Sequence, residues 1–134
     1  MDRFDVIDTC TALVWHTDHR EWDQLVWVFA DRVTLDYTSL NGGEPVTLAP
    51  AQIIDGWQEA LGAYTATQHL LANQLVTVVG DTAVCTASVQ ATHLKPDGNR
   101  WTLGGSYRFD LVRTGDGWRI GGIVLTVAWQ EGER

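Results

Sequence analysis

Three ionisable residues stand where the sequence pattern predicts an apolar interior: Asp18, His69 and His93. His69 begins one predicted strand and His93 ends the next, and the Gly80-Asp81 turn between them places both histidines near the same end of the pair. A carboxylate that contacts a histidine holds one imidazole tautomer and stabilises the imidazolium, so the histidine becomes an oriented general base. If Asp18 reaches His69, these side chains form a site for proton transfer.

Spacing alone also allows purely structural roles for these residues. Asp18 also suits the N-cap of a helix starting near Trp22, and a histidine at a strand end often lies in solvent or bonds to a backbone carbonyl. His16 and His19 share one face of a predicted helix, but a metal site needs three or four converging ligands and no further spacing supplies them. We therefore expect no metal.

Composition and charge narrow the classes of function. The 134 residues carry nine Lys and Arg against 17 Asp and Glu, a formal net charge of −8, and the basic residues are scattered. Nucleic-acid binders need clustered basic residues, so no nucleic-acid partner is expected. No glycine-rich phosphate loop follows a strand and no serine stands in a nucleophile elbow, which argues against a dinucleotide cofactor and against nucleophilic catalysis.

The N-terminal segment and the cysteines indicate a compartment. MDRFDVIDTC lacks the basic and apolar regions of a signal peptide, and no apolar run approaches membrane-spanning length. Cys10 and Cys85 each stand among apolar neighbours, as buried thiols do in a reducing compartment, with a disulfide as the alternative. These features predict a cytoplasmic protein without a membrane partner.

The elements that position the candidate residues are three helices and five strands. Apolar stripes at helical spacing run from Phe4 to Val14, from Trp22 to Phe29 and from Ile53 to Leu61, with Pro50 in the first turn of the third helix. A short strand is predicted at Val33–Tyr37 and a loop at Ser39–Pro50. Four long strands follow at Gln68–Val79, Thr82–Lys95, Arg100–Arg113 and Trp118–Trp129. The order ααβαββββ predicts a single α+β domain over residues 1–134: a curved antiparallel sheet, a cone-shaped half barrel, wrapped by three N-terminal helices.

The chain has seven tryptophans, which are either core filler or the lining of a cavity. Filler is the commoner role, but large rigid rings leave a pocket where helices meet a curved sheet. Five residues near the sheet end that carries the histidines are expected to border such a pocket: Trp22, Trp57, Leu71, Val89 and Tyr107.

Several segments resemble one known family over essentially the whole chain. The stretch Asp18-His19-Arg20-Glu21-Trp22-Asp23, the strand Leu35-Asp36-Tyr37, the segment Thr67-Gln68-His69, and His93 resemble scytalone dehydratase, in the SnoaL-like group of the nuclear-transport-factor-2-like superfamily. Asp18, His69 and Asn73 also match hexachlorocyclohexane dehydrochlorinase, a sister branch, and this resemblance implies that Asn73 contributes to substrate binding. Two positions depart: Thr17 replaces a second tyrosine of scytalone dehydratase, and Ile123 replaces an arginine of the dehydrochlorinase branch.

The resemblance implies a cofactor-independent lyase, a dehydratase of a small apolar β-hydroxy carbonyl compound. On this hypothesis His69, oriented by Asp18, removes the acidic proton, Tyr37 polarises the carbonyl, and His93 protonates or holds the leaving hydroxyl. The same groups suit a proton-shifting isomerase or a polyketide-type cyclase. A non-catalytic module that binds a small molecule is the alternative from another class. The resembling dehydratases are trimers and other branches are dimers, so we expect a homo-oligomer, with the trimer favoured.

Overall fold

The computed structural model describes residues 1–134 and shows an α+β fold, as predicted. Its helices are α1 (Asp2–Asp18), a 3₁₀ helix (Trp22–Trp27), α2 (Thr38–Asn41) and α3 (Pro50–Leu61). Its strands are β1 (Phe29–Asp36), β2 (Val46–Leu48), β3 (Ala66–Val79), β4 (Thr82–Leu94), β5 (Arg100–Thr114) and β6 (Gly117–Glu131). None of the helices has both the length and the apolar character needed to cross a membrane.

All six strands form one sheet, in the order β2-β1-β6-β5-β4-β3. The long strands β3 to β6 form the predicted antiparallel meander, because short turns join consecutive neighbours. The predicted curved antiparallel sheet is confirmed, with one parallel pair: β1 runs parallel to β6, with Leu35 beside Ile123. Between β1 and β6 the chain passes through α3 and the rest of the meander. A parallel pair of strands requires a long connection of this kind.

One hydrophobic core lies between the helices and one face of the sheet. Along β4 every second residue from Ala83 to His93 is buried, as the predicted alternation requires. The buried face of α1 includes Val6, Cys10 and Leu13, whereas Phe4, expected on that face, is 62% exposed. The helix is rotated from the predicted orientation, and it packs against β3.

The segment between α1 and β2 departs most from the sequence expectations. The second predicted helix is a short 3₁₀ helix, and Phe29, assigned to its apolar face, begins β1 instead. Val28 is β-branched and Phe29 is aromatic, and both residue types favour strand over helix. Phe29 pairs with Ile120 of β6, whose backbone N–H donates to the carbonyl oxygen of Val28. The expected loop Ser39–Pro50 is not fully irregular. It contains most of α2, which starts at Thr38, and the whole of β2.

Two adjacent glycines permit the close approach of β5 and β6. The register between these strands shifts between Gly104 and Gly105. A Cβ on Gly105 would overlap the carbonyl oxygen of Thr126, and a Cβ on Gly104 would overlap the indole of Trp129. The absence of side chains at these positions therefore admits the bulge that bends the sheet.

We expect Gly105→Ala to lower the free energy of unfolding by about 1–3 kcal/mol, because the added methyl group meets backbone that cannot move without breaking the β5–β6 pairing. Gly115→Ala is the matched control, since its added Cβ would have no atom within 4 Å, and its effect should stay within about 0.5 kcal/mol. Urea denaturation of the two variants measures both values. Equal stability of the two variants would show that the bulge is not constrained in this way.

Candidate active site

The carboxylate of Asp18, at the end of α1, accepts three hydrogen bonds from β3. The backbone N–H of His69 donates to Oδ2 at 2.7 Å, and the hydroxyl of Thr67 donates to Oδ1 at 3.0 Å. The Nδ1 atom of His69 lies 2.7 Å from Oδ1. An ionised carboxylate only accepts, so Nδ1 carries the proton. Asp18 thus pairs with His69, and the N-cap position of the following 3₁₀ helix belongs to Glu21.

This pairing orients the imidazole of His69 for proton transfer. The side chains of both residues are only 12% exposed. With Nδ1 protonated, the lone pair is on Nε2, which has no protein partner. Every fully buried side-chain nitrogen or oxygen has a partner, so Nε2 must face open space. The geometry provides a base at Nε2 and an anion that stabilises the imidazolium.

Arg20 fixes the end of α1 beside β3. Its backbone has a left-handed conformation, with φ of 56°, which ends the helix. Its guanidinium donates to the carbonyl oxygens of Leu61 and Tyr64 at 3.1 and 2.7 Å. Those carbonyls lie at the end of α3 and in the segment that leads into β3. One cation therefore joins the ends of two helices next to Asp18.

His93 is the second histidine of the site, and its surroundings keep it neutral. Its Nδ1 donates to the carbonyl oxygen of Trp101 at 3.1 Å, and its ring stacks on the Trp101 indole with centroids 4.2 Å apart. Burial lowers the pKa of His93 below its ordinary 6.5, and the hydrogen bond to Trp101 only partly opposes this effect. The centroid of its ring lies 6.1 Å from that of His69.

A cavity of about 380 Å³ lies between the helices and the inner face of the sheet, at the end that carries both histidines. Most of its lining residues are hydrophobic, and five are large aromatic side chains: Tyr37, Trp57, Tyr64, Trp101 and Tyr107. Burial raises the pKa of Tyr37 and of Tyr107 above the ordinary value for tyrosine, so both hydroxyls stay protonated at neutral pH. They can act as hydrogen-bond donors to a ligand oxygen.

Polar residues border the cavity around α2 and the end of the chain. The lining includes Thr38, Asn41, Glu44 and Arg134. The backbone N–H of Val127 donates to the hydroxyl of Ser39 at 2.8 Å, which attaches α2 to β6. The guanidinium of Arg134 donates to the side-chain oxygen of Asn41. We call the four lining residues Thr38, Asn41, Glu44 and Arg134 the mouth of the cavity.

The structure brings together most, but not all, of the residues predicted for the site. His69, His93, Tyr37, Trp57 and Tyr107 line the cavity, and Asp18 contacts it through His69. Four residues predicted to border or bind do not line it: Trp22, Leu71, Asn73 and Val89.

Each of these four has a structural reason for its place. Val89 is 2% exposed and packs inside the core, while Trp22 and Leu71 are half-buried against it. Asn73 lies in a bulge of β3, where its backbone has φ of 55° and the register shifts between Ala72 and Leu75. The bulge breaks the alternation that His69 and Leu71 follow, and the Asn73 amide donates to Ser88 on the outer face of the sheet.

Some site residues were missed by the sequence reasoning although the pattern contained a signal. The β4–β5 hairpin pairs His93 with Trp101, and the β3–β4 hairpin pairs His93 with Thr67. Both neighbours follow from the predicted turns. Tyr64 and Arg134 lie outside the long strands, so no periodicity placed them at the cavity.

No group of three or more His, Cys, Asp or Glu side chains is placed to hold a metal ion. His16 and His19, which share a helix, have separate partners. Nδ1 of His16 lies 3.0 Å from the carboxylate of Glu21, and Nδ1 of His19 bonds to the carbonyl of Trp15 at 2.8 Å. These two side chains are therefore not organised as a pair of ligands.

The sequence matches a known family and curated relatives. The model of the SnoaL-like domain matches residues 1–123, a range that contains Asp18, His69 and His93. An uncharacterized protein of Mycobacterium tuberculosis is 33% identical over 120 residues, which cover 85% of this chain and 77% of that protein.

Solved structures share the fold. The Kfla4162 protein from Kribbella flavida is 33% identical, with a TM-score of 0.93 over 97% of this chain and 93% of that one. A candidate scytalone dehydratase from Novosphingobium aromaticivorans is 16% identical, with a TM-score of 0.86 over 98% of this chain and 87% of that one. At 16% identity the likeness concerns the fold alone.

We expect an NMR titration of the His93 ring to give a midpoint below 6.5, because burial disfavours the imidazolium. Below pH 6.5 the unfolded chain then binds a proton that the folded chain does not. The free energy of unfolding should therefore fall on acidification through this window, by at most about 1.4 kcal/mol per pH unit. His93→Gln, which can still donate to the Trp101 carbonyl, should remove this contribution. A midpoint at or above 6.5 would contradict the assignment of His93 as a neutral residue.

Proposed function

This chain belongs to the SnoaL-like domain family, and from that premise we propose that it is a cofactor-independent lyase that removes water from a small, largely apolar β-hydroxy carbonyl compound. The observation that carries the proposal is the hydrogen bond of 2.7 Å between Asp18 and His69 at the wall of an aromatic cavity. A positioned base with an anionic partner is the group that abstraction of a proton next to a carbonyl needs.

His69 performs the first proton transfer in this proposal. Its Nε2 takes a proton from the carbon between the carbonyl and the hydroxyl-bearing carbon, and the electron pair of that C–H bond forms an enolate. The imidazolium that results is stabilised by Asp18, whose carboxylate is already oriented by Thr67 and by the backbone of His69. The carboxylate does not need to move during the step.

Two tyrosines are available to stabilise the enolate oxygen. Tyr37 was the predicted donor, and Tyr107 lies across from it with ring centroids 6.5 Å apart. The raised pKa values of Tyr37 and Tyr107 keep both phenols protonated, so both can donate. Thr17 lines the cavity and stands where the resembling scytalone dehydratase has a second tyrosine. Tyr107 supplies a second hydroxyl from β5 instead.

His93 holds the leaving hydroxyl rather than protonating it. Its Nδ1 donates to Trp101 and its lowered pKa leaves Nε2 unprotonated, so Nε2 accepts a hydrogen bond from the substrate hydroxyl. The proton that completes the departing water comes from the His69 imidazolium. The carbon–oxygen bond then breaks as the enolate electron pair forms the new double bond, and His69 returns to its neutral state.

A proton-shifting isomerase is the second candidate, and the low basicity of His93 favours it. A neutral histidine is a poor proton donor, so a reaction without a leaving group makes smaller demands on this site. In that reaction His69 moves one proton between two carbons and the tyrosines stabilise the enolate between the steps.

The test uses two phenyl-substituted, open-chain probes that fit an aromatic cavity: a β-hydroxy ketone, whose dehydration gives a conjugated enone, and a β,γ-unsaturated ketone, whose isomerisation gives a conjugated enone. Ultraviolet absorbance follows both conversions. We expect turnover of the hydroxy ketone and a loss of about 10²–10⁴-fold in kcat/KM for His69→Ala. Asp18→Asn should also lose activity, because the amide can no longer stabilise the imidazolium. Tyr37→Phe should lose less than the about 10²-fold typical of a single oxyanion donor, since Tyr107 remains.

His16→Gln is the matched control, because His16 bonds to Glu21 and does not line the cavity. Its activity should equal that of the wild type. Near-normal turnover by His69→Ala would place the base elsewhere. Conversion of the unsaturated ketone alone would select the isomerase, and binding of both probes without any turnover would leave a binding module.

A further inference from the structure

The mouth of the cavity contains one cation that forms no ion pair. Arg134 is the only Lys or Arg side chain in the cavity lining. Three other arginines, at positions 108, 113 and 119, pair with aspartates, whereas Arg134 forms no ion pair. Glu44 also lines the mouth but lies beyond ion-pair distance of it.

The guanidinium of Arg134 is also held in place. It lies over the ring of Trp101, 5.3 Å from the centroid, and donates one hydrogen bond to Asn41. A guanidinium has five N–H donors in a planar fork, so most of them are free. Stacking on an indole reduces the freedom that a long side chain would lose on binding a ligand.

We propose that Arg134 forms an anion site at the mouth of the cavity, and that the substrate is an acid whose carboxylate binds there while its apolar body fills the cavity. The inference rests on the proposed function, since it concerns the substrate of the same site. A planar carboxylate matches the fork of an arginine with two parallel hydrogen bonds.

The charges of the cavity lining orient such a substrate in one direction. The inner end holds the Asp18 carboxylate next to His69, which repels a second anion. The only cation is at the mouth, so the acid group stays there and the neutral hydroxy carbonyl group reaches the histidines. Trp101 contacts both His93 and Arg134, which limits the span between the carboxylate and the reacting carbons to about the breadth of one aromatic ring system.

The experiment compares two ligands of one shape, naphthoate and naphthamide, by isothermal titration calorimetry with the full chain. Wild type should bind the acid at least about tenfold more tightly than the amide, as a charge-assisted pair contributes. Arg134→Gln should remove this preference and leave amide binding within about twofold. Glu44→Gln should strengthen binding of the acid, because it removes a like charge at the mouth. Arg108→Gln, an exposed arginine outside the cavity, is the control and should change neither affinity.

Equal binding of acid and amide by wild type, or a preference that persists in Arg134→Gln, overturns the anion site. Failure of both ligands to bind overturns it as well. Turnover of the hydroxy ketone without an acid preference would remove the anion site and leave the lyase. A preference for the acid that depends on Arg134, without turnover of either ketone, would keep the anion site and remove the lyase.

Discussion

The fold and the site both depend on how the charge of Asp18 is satisfied where α1 meets β3. A carboxylate that is only 12% exposed loses most of its hydration, which costs several kcal/mol unless donors replace the water. Thr67 and His69 supply three donors from one strand. Because the acceptor ends a helix and the donors begin a strand, the same bonds that satisfy the charge also fix the helix against the sheet.

With that charge satisfied, the other ionisable groups facing the interior are neutral. Burial keeps His93 unprotonated and keeps the phenols of Tyr37 and Tyr107 protonated. The cavity is therefore lined by one neutral acceptor histidine, one base and two tyrosines that keep their hydroxyl protons. Neutral donors and acceptors in an apolar wall interact strongly with a ligand, because no water competes for them. The protonation states of the site are thus set by burial and by the hydrogen bond between Asp18 and His69.

Local periodicity was sufficient to predict the long strands, α3 and the position of His93, because each of these depends on residues that are close in sequence. The contact between Asp18 and His69 joins distant segments, so spacing left it open and only the family resemblance favoured it. Asn73 was misplaced because a bulge inverts the strand alternation, and Phe29 because pairing with β6 overrides helical spacing. Arg134 lies outside every periodic element.

The positions of the cations determine which leaving groups the cavity can stabilise. Ile123, where the dehydrochlorinase branch has an arginine, is fully buried in the core and does not line the cavity. The only cation in the cavity lining is therefore Arg134, whose charge contributes to the lowered pKa of His93. A departing halide leaves as an anion and would need that guanidinium beside it. Water departs neutral once His69 returns the proton, and an isomerisation releases nothing. In the proposed anion site Arg134 acts on the unreactive end of the substrate. The proposed lyase and isomerase reactions then need only the one proton that His69 carries, whereas halide elimination would need a cation at the leaving group.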